Sequence, residues 1–180
     1  FTLKERDRRW DLARKIMKEH GLEVLMVYGD RESAAPAPFC IDHYFTNDRL
    51  GSVVLFHQDK APIVVTFAPM MVADHMQASL RNDMQWISPE QIMVGKTGRN
   101  IGNILIQLGV SPNAQIGVIG LEPYPPFYFD GAMPFNTLSG IKEQLPNVNF
   151  VPVYKAFFQL ASVKSDEEIA HIKHAAMIGE

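Results

Sequence analysis

Acidic and histidine side chains at helical spacing are the first places to look for chemistry, and Glu168, His171 and His174 fit that description. A Glu-x-x-His pair sets both side chains on one helical face, as in di-metal sites built inside helical bundles. Such a site needs further carboxylates from other helices, and no second Glu-x-x-His occurs in the sequence. Glu168 also has another task open to it: Ser165, three residues earlier, completes a Ser-x-x-Glu capping box with it. The group therefore reads as a solvent-facing polar strip on a capped helix. Gly95-Lys96-Thr97 ends like a phosphate loop, but the glycine that a Walker A motif needs five residues earlier is Glu90 here. Two turn-capable positions before a helix are the ordinary reading. Asp42, His43 and Asp48 form the densest group of ligand-type side chains, yet nothing in their spacing makes them converge on the fixed geometry a catalytic metal requires. His20, His57 and His75 are scattered over other segments. Ser33, Ser52 and Ser88 have no Gly-x-Ser-x-Gly around them. Cys40 has no catalytic signature.

Composition narrows the classes. With 47% apolar and 21% charged residues, the chain has the make-up of an ordinary globular domain. A net charge of −3 offers no basic footprint for nucleic acid. No apolar run approaches the ~20 residues of a membrane span, and the N-terminal segment, with Glu5 and Asp7, lacks the apolar core of a secretory signal. A single cysteine excludes an internal disulfide and favours a reducing compartment, so a cytoplasmic location is expected. Neither nucleic acid nor a membrane is expected as a partner.

The elements that must position any site alternate along the chain. Thr2 to His20 reads as a helix with Trp10, Ala13, Ile16 and Met17 on one face and Gly21 as its stop. Its opposite face, with Lys4, Arg8, Arg14, Lys15 and Lys18, is expected to meet water. Leu22–Tyr28 is a short apolar run, consistent with a strand buried on both faces. Asp30 to Arg49 reads as a long loop stiffened by Pro36 and Pro38. Leu50–His57 and Pro62–Phe67 form a hairpin across a polar turn. Pro69–Leu80 is expected to be helical with Met70, Ala73, Met76 and Leu80 inward, and Gln85–Ile87 a short strand. Ile101, Ile104, Leu105 and Leu108 mark a helix ending at Gly109. Gln115–Ile119 and Asn149–Val153 are strands, and Thr137–Leu145 a helix. This order predicts an α/β fold, a three-layer α/β/α domain around a mixed sheet. Glu122–Phe135 is Pro- and aromatic-rich; Tyr124, Phe127, Tyr128 and Phe129 are candidates for an interface with a partner domain or subunit, since so many rings are costly to leave in water.

The final stretch, Val163–Glu180, opens with the capping box and with Asp166, Glu167 and Glu168 on the positive end of the helix dipole. Ile169, Ile172, Ala176 and Met177 then form an apolar stripe still running at Gly179-Glu180. Lys164-Ser165-Asp166-Glu167-Glu168-Ile169, followed by Ile172, Lys173 and Ala175-Ala176, resembles the helix leading from the N-terminal domain into the metal-binding domain of the creatinase/prolidase/aminopeptidase P-like (pita-bread) family. Tyr28-Gly29-Asp30-Arg31-Glu32 and Tyr44-Phe45-Thr46-Asn47 resemble that family's first strand and its Y-L-T-G segment. Asn47 stands where Gly is usual, and Asn accepts a left-handed backbone.

This resemblance implies a creatinase N-terminal domain-like, ribonuclease H-like fold over residues 1–162. It makes residues 163–180 the start of a linker helix into a C-terminal catalytic domain beyond the chain. It also implies that two Asp, one His and two Glu hold two divalent metal ions in that other half, so no catalytic, metal or cofactor-binding residue is expected in this one. The implied role is the non-catalytic part of a Xaa-Pro dipeptidase or aminopeptidase-like hydrolase, supporting a homodimer and substrate access. By the same likeness His43, Tyr44, Asp48 and Arg49 are the candidates for substrate contact. Two other roles fit the scaffold: a catalytically inactive interaction module, and the N-terminal domain of a creatinase-like small-molecule hydrolase. A third, small-ligand binding through the 30–49 loop, needs no second domain.

Overall fold

The apolar residues of the first strand face two ways, and the whole architecture follows from that. In the computed structural model, which describes residues 1–29, 41–47, 51–123 and 131–179, β1 (Val24–Tyr28) is buried along its entire length. Leu25 and Val27 enter one core, while Val24, Met26 and Tyr28 enter another. Side chains alternate across a strand, so a run without polar residues must be covered on both faces. Here both faces are covered by helices.

Six strands form one sheet in the order β4-β3-β2-β1-β5-β6, with β2 (Val53–His57), β3 (Ile63–Thr66), β4 (Ile92–Val94), β5 (Gln115–Ile119) and β6 (Asn149–Pro152) flanking β1. The expected hairpin is present: β2 and β3 pair antiparallel with Val53 opposite Val65. β2 also runs antiparallel to β1, while β1–β5, β5–β6 and β3–β4 are parallel. Every strand except β2 therefore points the same way, and their carboxyl ends share one edge.

Helix α1 (Leu3–Glu19) begins on a Thr2 cap and ends at His20, as the sequence suggests. Together with α2 (Ile41–Thr46) and α6 (Tyr154–Ala161) it covers one face of the sheet through Trp10, Ile16, Met17, Phe45 and Phe157. On the other face lie α4 (Gly98–Gln107) and α5 (Phe135–Gln144), packing through Ile101, Ile104, Leu105, Ile141 and Leu145. These two helices cross where Gly98 meets Gly140: a Cβ on Gly98 would stand 2.2 Å from the Thr137 carbonyl oxygen. The result is the predicted three-layer α/β/α sandwich.

Four expectations need correction. The 30–49 stretch is not loop throughout, because Ile41–Thr46 forms α2. That short helix survives because α1 satisfies its open carbonyls: Arg9 Nη1 donates to Tyr44 O at 2.9 Å and Trp10 Nε1 to Phe45 O at 2.9 Å. Helix α3 (Pro69–Leu80) exists, but its methionine stripe faces outward, with Met70 65% and Leu80 83% exposed. The helix meets the short 3₁₀ turn Pro89–Gln91 and buries His75 instead. Gln85–Ile87 is no strand; Trp86 and Ile87 are irregular backbone inserted into the first core, and the strand of this region is β4. Finally, Arg8 does not simply face water, since it pairs with Glu5 and Glu168.

Helix α7 (Asp166–Gly179) closes the described chain. Its capping box forms as expected: Ser165 N donates to Glu168 Oε2 at 2.9 Å, and Glu168 N to Ser165 Oγ at 3.1 Å. Beyond that turn Ile169, Ile172, Met177 and Ile178 are exposed.

Candidate functional site

Open α/β sheets place ligands at the carboxyl ends of their strands, and here that edge gathers a distinctive set of groups. Tyr28 and Gly29 end β1, Ser52 leads into β2, and Gly95-Lys96 follows β4. Lys96 reaches across to donate to the Gly29 carbonyl, and its Nζ stands 4.0 Å from the Tyr28 ring centroid. Thr97 caps α4 through a hydrogen bond from Asn100 N. Gly95-Lys96-Thr97 is thus a turn and helix cap, with its lysine spent on the end of β1.

Asp42 is the buried acid of this edge. Its Oδ2 accepts the Ser52 N–H at 2.8 Å, tying α2 to the start of β2. Only glycine fits at position 29, because a Cβ there would stand 2.1 Å from Asp42 Cγ. Burial pushes the carboxyl from 3.8 up to about 6, although N–H groups of Ser52 and His43 and the charge of Lys96 favour the anion. Asp42 Oδ1 and the buried Ser52 hydroxyl have no hydrogen-bond partner among the described residues.

A second charged group joins α1, α2 and α7. Arg9 is buried, and its Nε donates to Glu5 Oε1 at 2.7 Å. Its guanidinium lies 4.2 Å from the ring centroids of both Phe1 and Tyr44. Arg8 donates to Glu5 Oε1 at 2.7 Å and to Glu168 Oε2 at 2.6 Å. Burial alone would raise Glu5, but hydrogen bonds from Arg8, Arg9 and Ser165 outweigh it and hold the carboxyl at about 2. Glu167 adds a two-oxygen grip on Thr2, 2.7 Å from both its N and its Oγ1. His171 stacks on Phe1 with centroids 4.5 Å apart. The first turn of α7 is therefore fastened to the first turn of α1.

The residues singled out for chemistry separate in space. His43 is exposed on α2, whereas Tyr44 is half-buried among Arg9, Phe45 and Phe157. Asp48 and Arg49, like Tyr124, Phe127, Tyr128 and Phe129, lie outside the described residues. Phe135, from the same aromatic stretch, is 78% exposed at the start of α5. Glu168 and His171 serve the cap and the Phe1 stack. Among the described residues no group of three or more His, Cys, Asp or Glu is arranged to hold a metal ion. A cleft of about 400 Å³ is lined in part by Arg6, Asn82, Asp83, Trp86 and Ser88, but none of its lining atoms is both buried and unpartnered. Arg9 is the residue that sequence reasoning missed; Glu5 at i−4 was the available signal.

No protein-family model and no curated protein matches the sequence. Solved structures do resemble it. The dipeptidase PepE from Mycobacterium ulcerans superposes with a TM-score of 0.60 and 18% identity, over 94% of this chain and 40% of that one. The N-terminal domain of FACT complex subunit SPT16 from chickpea (Cicer arietinum) gives 0.60 and 16%, over 97% and 42%. The N-terminal domain of the cytoplasmic peptidase PepQ from Mycobacterium tuberculosis H37Rv gives 0.54 and 12%, over 85% of this chain and 98% of that one. This chain thus spans about two fifths of the length of the first two and nearly all of the third. The six-stranded mixed sheet between two helical layers is the fold of these peptidase N-terminal domains, the isolated PepQ domain matching over 85% of this chain.

Proposed function

We propose that this chain is the non-catalytic N-terminal domain of a metal-dependent Xaa-Pro dipeptidase- or aminopeptidase-like hydrolase, in which it supports dimerisation and shapes substrate access. The observation that carries this reading is coverage: nearly the whole chain matches part of the dipeptidase PepE and nearly all of the isolated PepQ domain. The arrangement of α7 agrees with it. A helix fastened by its first turn and apolar along its outward face suits a strut against a second, catalytic domain. On this reading two divalent ions belong to that other domain, and the protein works in the cytoplasm. His43, Tyr44, Asp48 and Arg49 contribute to substrate entry, and Tyr124, Phe127, Tyr128 and Phe129 to a subunit or domain contact.

The test pairs two preparations. The 180-residue chain alone should hydrolyse no Xaa-Pro dipeptide and retain no stoichiometric divalent ion, while the protein carrying its catalytic domain should do both. Turnover by the 180-residue chain itself would sink the reading. In the longer protein Arg49→Ala should raise KM more than it lowers kcat, and unchanged kinetics would remove Arg49 from the proposal.

A second reading rests on the SPT16 domain, which matches as well as PepE does. On that reading this chain is an interaction module and the adjoining half of the protein holds no working metal centre. Absence of the two Asp, one His and two Glu ligands from the adjoining sequence would favour it over the enzyme.

A further inference from the structure

Helix α3 turns a periodic apolar stripe to solvent and gives little to its own domain. Of its residues only His75 is buried, and it packs against the 3₁₀ turn Pro89–Gln91. Met70, Met76 and Leu80 are exposed, and so are Ala73, Asp74, Gln77 and Arg81 beside them. A helix of this length is marginal in water by itself, and a regular exposed apolar face marks a contact surface. Met70, Ala73, Gln77 and Leu80 recur at alternating three- and four-residue spacing, so they form one stripe. Asp74 and Arg81 stand two turns apart and therefore share one flank of it, with Met76 on the other. Arg81 keeps helical backbone as the C-cap, so this spacing holds to the end of the helix.

Turned end for end about Gln77, this face matches itself. Ala73 comes opposite Leu80, Gln77 opposite its own copy, and Met70 opposite the carboxyl end, where Met84 is also exposed. In an antiparallel helix pair each flank meets the same flank of its mate, so Asp74 comes opposite Arg81 twice over. That is the self-complementarity an isologous two-fold contact requires. Asp74 has no ion pair among the described residues. Arg81 donates from Nε and Nη2 to Asp83 Oδ2, which leaves the other donors of its fork for a second carboxylate. Helix α7, the other helix with an exposed stripe, lacks this property. Turned about its middle, it sets Glu167 and Glu168 against Ile178 and Met177, so its stripe suits a different partner.

We propose that a second copy of this chain docks on the outer face of α3 as an antiparallel, two-fold helix pair. Leu80 of each copy covers Ala73 of the other, the two Gln77 amides bond across the axis and fix the register, and Asp74–Arg81 ion pairs close both ends. The proposal rests on the dimeric part of the function proposed above and gives that dimer its surface. A catalytic domain could also cover an apolar stripe, but it supplies no reason for an acid and a base to sit symmetrically about Gln77.

Sedimentation equilibrium on the chain as it stands tests this. One helix pair buries less than the ~1,200 Å² of a standard interface, so the dimer should be weak, half-formed on the order of 100 µM. Asp74→Arg and Arg81→Asp, both at exposed positions, each bring like charges together at both ends and should each weaken self-association about tenfold. Mixed in equal amounts, the two variants should associate with each other about as well as the unmodified chain does with itself, because every facing pair again joins opposite charges. Leu80→Glu should leave a folded monomer with an unchanged Tm. A chain that stays monomeric to about 1 mM, single variants that dimerise undiminished, or a mixture no better than its components each overturn the proposal. None of these outcomes bears on turnover by the protein carrying its catalytic domain, so the hydrolase reading fails or stands separately.

Discussion

Replacing Arg9 by Met should be among the most damaging single changes in the α1–α7 junction, and the structure says why. Arg9 is 4% exposed in its side chain, beside Glu5 at 3% and Glu168 at 8%. It supplies Glu5 with a 2.7 Å hydrogen bond, Tyr44 O with a 2.9 Å bond, and Glu168 with a weaker contact at 3.4 Å. Met fills much of the volume but leaves two buried carboxylates facing fewer donors. Removing one partner from a buried ion pair costs ~3–5 kcal/mol, because the remaining charge is left uncompensated. Arg8 still reaches both Glu5 and Glu168, which puts the expectation at the low end, about 3 kcal/mol. For a domain of this size that corresponds to a fall in Tm of about 6–12 °C. Arg8→Met is the internal control: its side chain is 31% exposed, so solvent screens its loss and the cost should be about 1 kcal/mol. Urea unfolding of the two variants beside the unmodified chain makes the measurement. An Arg9→Met loss below about 1 kcal/mol, or an Arg8→Met loss exceeding it, would show that burial does not set the strength of this group.

Three further outcomes follow from the same structure. Glu5 has its carboxyl at about 2 when folded and 4.5 ordinarily, so its contribution is complete above pH 4.5 and lost as pH falls toward 2. Glu5→Gln should therefore flatten the acid limb of a stability-versus-pH curve, by about 3 kcal/mol at most. Gly29→Ala forces a methyl group onto Asp42 Cγ and should destabilise by about 1–3 kcal/mol. Adding Asp42→Ala to it should then cost less than the sum of the two single changes, and strict additivity would contradict the contact. Ser165→Ala removes one half of the capping box and should cost about 1 kcal/mol, with amide exchange rising in α7 but not in the strands.

How much could be read from the residues alone depended on where each element finds its partners. β1, the hairpin, α1, α4 and the capping box of α7 carry their signals locally, in runs, spacings and caps, and all were legible. So was the left-handed backbone at Asn47, which has φ of 69°. Helix α6 was not. Its first N–H is satisfied by Glu122, which accepts from Tyr154 N at 3.0 and 2.8 Å from a distant point in the chain. A cap supplied across 32 residues leaves no mark beside the helix it starts. Helix α2 escaped notice for the same reason, since side chains of α1 close its carbonyls. The methionine stripe of α3 has the right period and the wrong partner, because periodicity reports that a face is apolar and not what covers it. Asp42 lay in the segment marked for chemistry, but a buried clamp and an exposed ligand look alike until the backbone of Gly29 is seen against it.

The parallel pairing at the middle of the sheet bears on how the chain comes to be made. Val24 of β1 joins Ile116 of β5, so during synthesis the first strand waits through some ninety residues for its second neighbour. The antiparallel meander of β1, β2 and β3 can assemble early, since its contacts are local. Until β5 emerges, that young sheet presents the unsheltered flank of Val-Leu-Met-Val-Tyr, a template for the wrong strand from another nascent chain. A slow-moving ribosome between those two points would lengthen the hazard, and a chaperone that shields one apolar ribbon would shorten it.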